Sequence, residues 1–244
     1  MSARVTGAVA QRVLAQLRRD PRTLVLIIGV PCLLETLLKE LFAGQPDVFQ
    51  HIGAPLLGLF PFVTMFLVTS ITMLRERTTG TLERLMTLPL AKLDLLAGYG
   101  IAFAVLAAIQ AALVSALAFG LLGLDVQGPR WVVAALAVGN AVLGSALGLF
   151  FSAFAQTEFQ AVQFMPAVVL PQILLCGLFV APESMATWLR WISYALPLTY
   201  AYSALAHTAA DTFDARFAVD VAVIAGSVVA ALALGAATLR RRTD

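Results

Sequence analysis

Residues 75–92 gather six charged side chains, Arg75, Glu76, Arg77, Glu83, Arg84 and Lys92, into a compact island between two long apolar runs. Leu82, Leu85 and Leu88 recur within it at helical spacing. An apolar strip ringed by charge suits recognition: a short amphipathic helix held tight against a membrane can dock onto a soluble partner. A passive connector between two apolar runs would need only a few polar residues. The plainer reading is a solvated loop held on one side of a membrane by its positive charge. Catalysis has no comparable foothold. The chain contains no G-x-x-x-x-G-K-[ST] to cradle a nucleotide, no H-E-x-x-H, no paired-aspartate metal motif and no G-x-S-x-G. Its two histidines, His51 and His207, are far apart in sequence, and Cys32 and Cys176 read as packing residues inside apolar runs. No catalytic or metal-ligating residue is assigned, and the chain is not expected to be an enzyme.

Composition fixes the setting of that island. Of 244 residues, 60% are hydrophobic and 12% charged, with a mean hydropathy of +0.90. Soluble domains carry about 25% charged residues, so this is an integral membrane protein. A crossing needs about 20 mostly apolar residues, and lipid obliges each segment to satisfy its own backbone, which makes every crossing a helix. Six runs qualify, at about 23–43, 54–74, 96–118, 131–155, 160–181 and 220–239. The expected fold is all-α: one membrane domain over 1–244 with six transmembrane helices.

Residues 191–206 are apolar but short for a crossing; Pro197 interrupts them, and Tyr194, Tyr200 and Tyr202 suit an interface. Residues 183–206 are therefore expected as an outer-face hairpin of interfacial or re-entrant helices. Six crossings put both termini on one side. Twelve basic residues then fall inside and four outside, a positive-inside bias that makes both termini cytoplasmic. Residues 4–19 segregate Val5, Val9, Ala10, Val13, Leu14 and Leu17 from Arg4, Gln11, Arg12, Arg18 and Arg19. That pattern predicts a basic amphipathic helix along the inner leaflet, ended by Pro21. Residues 1–20 hold no continuous apolar core, so no signal peptide is expected there.

This layout resembles the permease subunits of ATP-binding-cassette type-2 exporters, among them drug, lipid and polysaccharide exporters. The resemblance covers essentially the whole chain. Its sharpest part is Arg75-Glu76-Arg77-Thr78-Thr79-Gly80-Thr81-Leu82-Glu83-Arg84-Leu85, similar to the family pattern E-R-x-x-G-T-L-E-x-L, with Pro89 where proline is common. Supporting parts are Ser152–Glu158, Gly177-Leu178-Phe179 and Leu196-Pro197-Leu198-Thr199-Tyr200. The resemblance implies that residues 76–90 form a coupling helix seated on a separate ATPase, a role falling on Glu76, Arg77, Gly80, Thr81, Leu82, Glu83 and Leu85. It implies two ATPase subunits that bind ATP and Mg, a second permease chain, outward transport at the plasma membrane, and no cofactor on this chain. No nucleic-acid partner is expected; membrane lipid is. Physically, Gly80 permits a sharp turn, Thr81 could cap a following helix, and Leu82 and Leu85 present an apolar anchor.

Polar residues inside the runs must face protein or water. Glu35, Thr69, Thr72, Gln110, Asn140 and Gln172 are the candidates for a substrate path; for any one of them, interhelical hydrogen bonding is the simpler role. Lys39, one turn beyond Glu35, is the expected partner for its charge. Gly144 and Gly148 form a G-x-x-x-G that allows close helix approach, and Pro31, Pro61, Pro166 and Pro171 predict kinks. The reading is an exporter permease for an amphipathic or apolar molecule such as a drug, lipid or glycan-lipid. An ion-coupled transporter would need ionisable residues near the midplane, where only Glu35 fits. A non-transporting assembly factor or membrane enzyme would need grouped carboxylates or histidines.

Overall fold

The computed structural model describes residues 3–81 and 92–238, and every regular element among them is helical. Helix α1 (Ala3–Arg18) precedes α2 (Pro21–Leu41). Asp20 caps α2, accepting from the Thr23 amide at 3.2 Å and the Thr23 hydroxyl at 2.6 Å. Helices α3 (Pro46–Thr78), α4 (Lys92–Gly120) and α5 (Arg130–Phe151) follow. Next come α6 (Glu158–Phe164), a π-helical turn (Met165–Val169) and α7 (Leu170–Leu175). A 3-10 turn (Pro182–Ser184), α8 (Thr187–Ala195), α9 (Pro197–Ala209) and α10 (Ala215–Thr238) complete the order.

Five stretches among the described residues are long and apolar enough to cross a membrane: Pro46–Thr78, Asp94–Gly120, Arg130–Phe151, Glu158–Leu175 and Ala215–Thr238. The expected first crossing, 23–43, is helical as α2 but is not among them; Arg22, Glu35, Lys39 and Glu40 punctuate it. The second run extends in both directions. α3 starts at Pro46, with proline in its first turn and Asp47 favourable at its amino end. It continues to Thr78, so residues 76–78 are its last turn and not the start of a separate helix. The fifth run is not one regular helix. Pro166 and Pro171 each lack an N–H, the ladder widens to a π turn between them, and helix ends at Leu175 instead of near 181.

Packing centres on α3. A Cβ placed on Gly144 or Gly148 of α5 would lie 2.2 Å from the Phe62 carbonyl oxygen or 2.5 Å from that of Phe66. The two backbones therefore touch directly, which only glycine allows. Phe62, Phe66, Leu143, Ala201 and Ala204 build the core around this contact. α1 does not present its apolar face to lipid: Val9, Ala10, Val13 and Leu17 are buried in a cluster with Leu95, Tyr99 and Phe103 of α4. A Cβ on Gly98 would come within 2.6 Å of Val9. The hairpin after α7 divides at Leu196. α8 exposes Trp188 and Trp191, as an interfacial helix would. α9 is instead a core helix, with Ala201, Ala204 and Leu205 fully buried.

Candidate functional site

The end of α3 that leads into the charged island is held by side chains from two other helices. Glu76 is 4% exposed, and both its oxygens accept from Arg12 Nη2 of α1, at 3.0 and 2.9 Å. The Tyr99 hydroxyl of α4 donates to Glu76 Oε2 at 2.9 Å. Arg12 Nη1 in turn donates to the Tyr99 oxygen at 3.3 Å. Burial works against the Arg12 charge, yet its bonds to Glu76 and Tyr99 hold the guanidinium above its ordinary pKa. Nearly two turns earlier on α1, the buried Thr6 hydroxyl donates to the buried Asp94 carboxylate at 3.4 Å. These polar contacts lock α1, the last turn of α3 and the start of α4 into one unit.

Arg75 reaches elsewhere. Its Nε and Nη2 donate to the two Glu158 oxygens at 2.7 and 3.0 Å, a two-pronged ion pair with both side chains about half exposed. This pair brings the segment before α6 to the same end as α1 and the end of α3. Charge counting could not do so, because that segment carries no basic residue.

Beyond Thr78 the chain leaves α3 at Thr79 and Gly80. Gly80 has φ +70°, a left-handed conformation that suits glycine at a helix end. The Thr79 and Thr81 hydroxyls lie 3.0 Å apart. Arg77 is half-buried, and its Nε finds no partner among the described residues. Of the residues expected to couple, Glu76 thus turns inward and Arg77, Gly80 and Thr81 stay at or near the surface. Leu82, Glu83 and Leu85, and the rest of the helix expected over 76–90, lie outside the described residues. Sequence reasoning missed Tyr99 and Glu158 as participants, and placed Arg12 only on a polar face.

The path candidates do not converge. Gln110 Nε2 donates to the Ile27 carbonyl at 2.6 Å. Gln172 Nε2 bonds back to the Val168 carbonyl at 3.2 Å. Thr69 is buried, with no partner for its hydroxyl among the described residues, and Thr72 is half-buried. Asn140 borders a narrow cleft with Pro55, Leu198 and Tyr202. Glu35 is wholly buried, on the α2 face that also carries Ile27 and Pro31, and neither carboxylate oxygen has a partner among the described residues. Lys39 is not that partner; its ammonium lies 5.1 Å from the Phe49 ring centroid. A separate apolar cavity of about 460 Å³ opens between α2, α3 and the broken helix, lined by residues such as Leu26, Leu34, Phe60 and Met165.

The ABC-2 type transporter family matches residues 4–209. ABC transporter G family member 20 of Dictyostelium discoideum is 24% identical over 173 residues, 70% of this chain and 24% of that protein. The probable multidrug ABC transporter permeases YbhR and YbhS of Escherichia coli K12 are 26% and 25% identical over 168 and 180 residues. Those two alignments cover 68% and 73% of this chain, and 45% and 48% of the relatives. The chain thus matches less than half the length of each of these relatives.

Proposed function

The chain belongs to the ABC-2 type transporter family, and on that premise we propose that it is the permease subunit of an ATP-driven exporter. A separate ATPase, present in two copies and holding ATP and Mg, docks on the charged island. A second permease chain, identical or related, completes the membrane part. α2 serves as a sixth crossing, both termini lie in the cytoplasm, and the complex stands in the plasma membrane. The cargo is an amphipathic or apolar molecule moved outward; the relatives named as multidrug permeases support that class.

One observation carries this reading: the anchored end of α3. A push on residues 79–90 acts directly on the end of α3, because Arg75 and Glu76 belong to its last turn. The Arg12–Glu76–Tyr99 cluster passes displacement to α1 and α4, and the Arg75–Glu158 pair passes it to the broken helix α6–α7. Such bonded elements move as a unit when a partner changes its grip. Glu76 is then an internal strut, while Arg77, Leu82, Glu83 and Leu85 are the contact residues.

The test is reconstitution. The chain alone hydrolyses no ATP, and the complex with its ATPase does. Leu82→Ala combined with Glu83→Lys uncouples or dissociates the pair while membrane insertion is retained; full binding and transport by that variant would refute the assignment. Topology is tested in a background lacking Cys32 and Cys176. A cysteine at Asp211 reacts with an impermeant thiol reagent outside intact cells, and one at Arg84 does not.

Glu35, without a partner among the described residues, sustains a second reading, in which this carboxylate contacts the cargo or an ion. Glu35→Gln separates the two: lost export with normal ATP hydrolysis places Glu35 on the path, and unchanged export leaves it a packing residue.

A further inference from the structure

The apolar cavity between α2, α3 and the broken helix is a groove of about 460 Å³. Leu26, Val30 and Leu34 form its α2 wall, α3 contributes residues between Leu59 and Ile71, and Met165 and Ile173 close it from the broken helix. Leu26 is 59% exposed and Leu34 37%, so this wall reaches the surface that faces lipid. Among the described residues Thr64 is its one polar wall, and the Thr64 hydroxyl is taken up by the Phe60 carbonyl at 2.8 Å. Such a lining offers nothing to a polar ligand, and left empty it forfeits contact energy.

From Leu59 to Ile71 the groove follows α3 for about 18 Å, more than half of a hydrocarbon core about 30 Å thick. One turn beyond each of these two walls, at the Gly80 end, stands an arginine. Arg22 precedes Leu26 by four residues, and Arg75 follows Ile71 by four. Arg75 is already paired with Glu158. Asp20, at the corner between α1 and α2, is engaged too: the Thr23 hydroxyl and amide hold its carboxyl below the usual pKa. Arg75 adds a smaller pull on Asp20, which sets this corner beside the end of α3. Both acids at the mouth of the groove are therefore occupied. Arg18, Arg19 and Arg22 are exposed and have no ion pair among the described residues.

We propose that the groove seats one acyl chain of an anionic phospholipid, whose phosphate rests on Arg22 with Arg18 and Arg19 beside it. The apolar walls accept the chain, guanidinium forks match phosphate oxygens, and a basic cluster next to a membrane segment attracts anionic lipid. Width decides against a partner helix as occupant. The volume spread over about 18 Å leaves a cross-section of about 25 Å², whereas a helix about 10–12 Å wide needs about 80 Å² or more. That the lipid belongs to the cytoplasmic leaflet rests on the topology proposed above; the binding itself does not.

The probes are phosphatidylglycerol and phosphatidylcholine with the same acyl chains, titrated onto the purified, delipidated chain in neutral detergent and read by native mass spectrometry. The wild type binds its first phosphatidylglycerol at least fivefold more tightly than its first phosphatidylcholine. Arg18→Gln, Arg19→Gln and Arg22→Gln together bring the two lipids to equal affinity; all three positions are exposed, so the fold is retained. Val63→Trp, which fills the groove, weakens both lipids at least fivefold. Val229→Trp on the exposed face of α10 and Arg130→Gln at the opposite end of the bundle change neither affinity. Equal affinities in the wild type, a preference kept by the triple variant, or an equal loss in Val229→Trp would each overturn the proposal. Inorganic phosphate does not displace the lipid; displacement would reveal a headgroup site without a seated chain and overturn it too. So would a Val63→Trp variant that loses self-association yet keeps its lipid, since the groove would then belong to a second permease chain. The assay needs neither ATP nor the ATPase, so its result stands apart from the permease reading.

Discussion

Gln110 Nε2 donates at 2.6 Å to the carbonyl oxygen of Ile27, the acceptor that Pro31 leaves without its helical donor. Proline at position i+4 has no N–H to offer, and an unsatisfied carbonyl in a buried setting is costly. A side chain from α4 therefore completes the ladder of α2 and fixes where the two helices meet.

Gln110→Leu should destabilise the protein by about 1–3 kcal/mol, since it strands that carbonyl. In a Pro31→Ala background the missing amide returns, and the same substitution should become nearly silent. A double-mutant cycle on thermal unfolding in detergent checks the coupling; additive effects would exclude it.

Gly144→Ala should cost about 1–3 kcal/mol, because the new methyl meets the backbone of Phe62, which cannot step aside as a side chain could. Gly139→Ala on the same helix should be neutral or slightly stabilising, as nothing lies within 4 Å of its Cβ position. The two unfolding temperatures should differ in that order.

Removing Arg12 or Tyr99 should matter more than removing Arg75. Arg12→Ala leaves the buried Glu76 carboxylate short of its cation; one-sided removal from a buried pair costs about 3–5 kcal/mol, less here because Arg12 is 33% exposed. Replacing Arg12 and Glu76 together, by Met and Leu, should recover most of the loss. Unfolding of Arg12→Ala, Tyr99→Phe and the double variant, each with retained membrane insertion, provides the comparison.

Arg75→Ala should lower stability by at most about 1 kcal/mol, as the pair with Glu158 is exposed. Its effect should appear in coupling instead. In the reconstituted complex, ATP hydrolysis should persist while transport per ATP falls. The exchange Arg75→Glu with Glu158→Arg should restore the ratio; failure of the exchange to rescue would remove the pair from the coupling route.

The sequence alone determined the features set by local chemistry. Long apolar runs in a chain with few charges had to become helices, because lipid gives the backbone no other partner. The alternation of valine and leucine with arginine over 4–19 determined which face of α1 would be buried, and Gly80 marked where the chain turns out of α3. That Glu35 calls for a partner was legible; the direction in which it points was not. Lys39 is its neighbour by helical spacing, yet it settles over Phe49, while Glu35 faces inward with Ile27 and Pro31. Glu76 shows the same divide at the candidate site. Local pattern placed it in a docking segment, but its partners Arg12 and Tyr99 stand 64 and 23 residues away in the chain. Likewise His51 and His207 border one cavity only because α3 and α9 pack together. Periodicity reports which face of a helix is apolar, whereas the neighbour that covers that face is decided by close packing between helices. There, a glycine in the right register lets two backbones touch and carries every attached side chain into place.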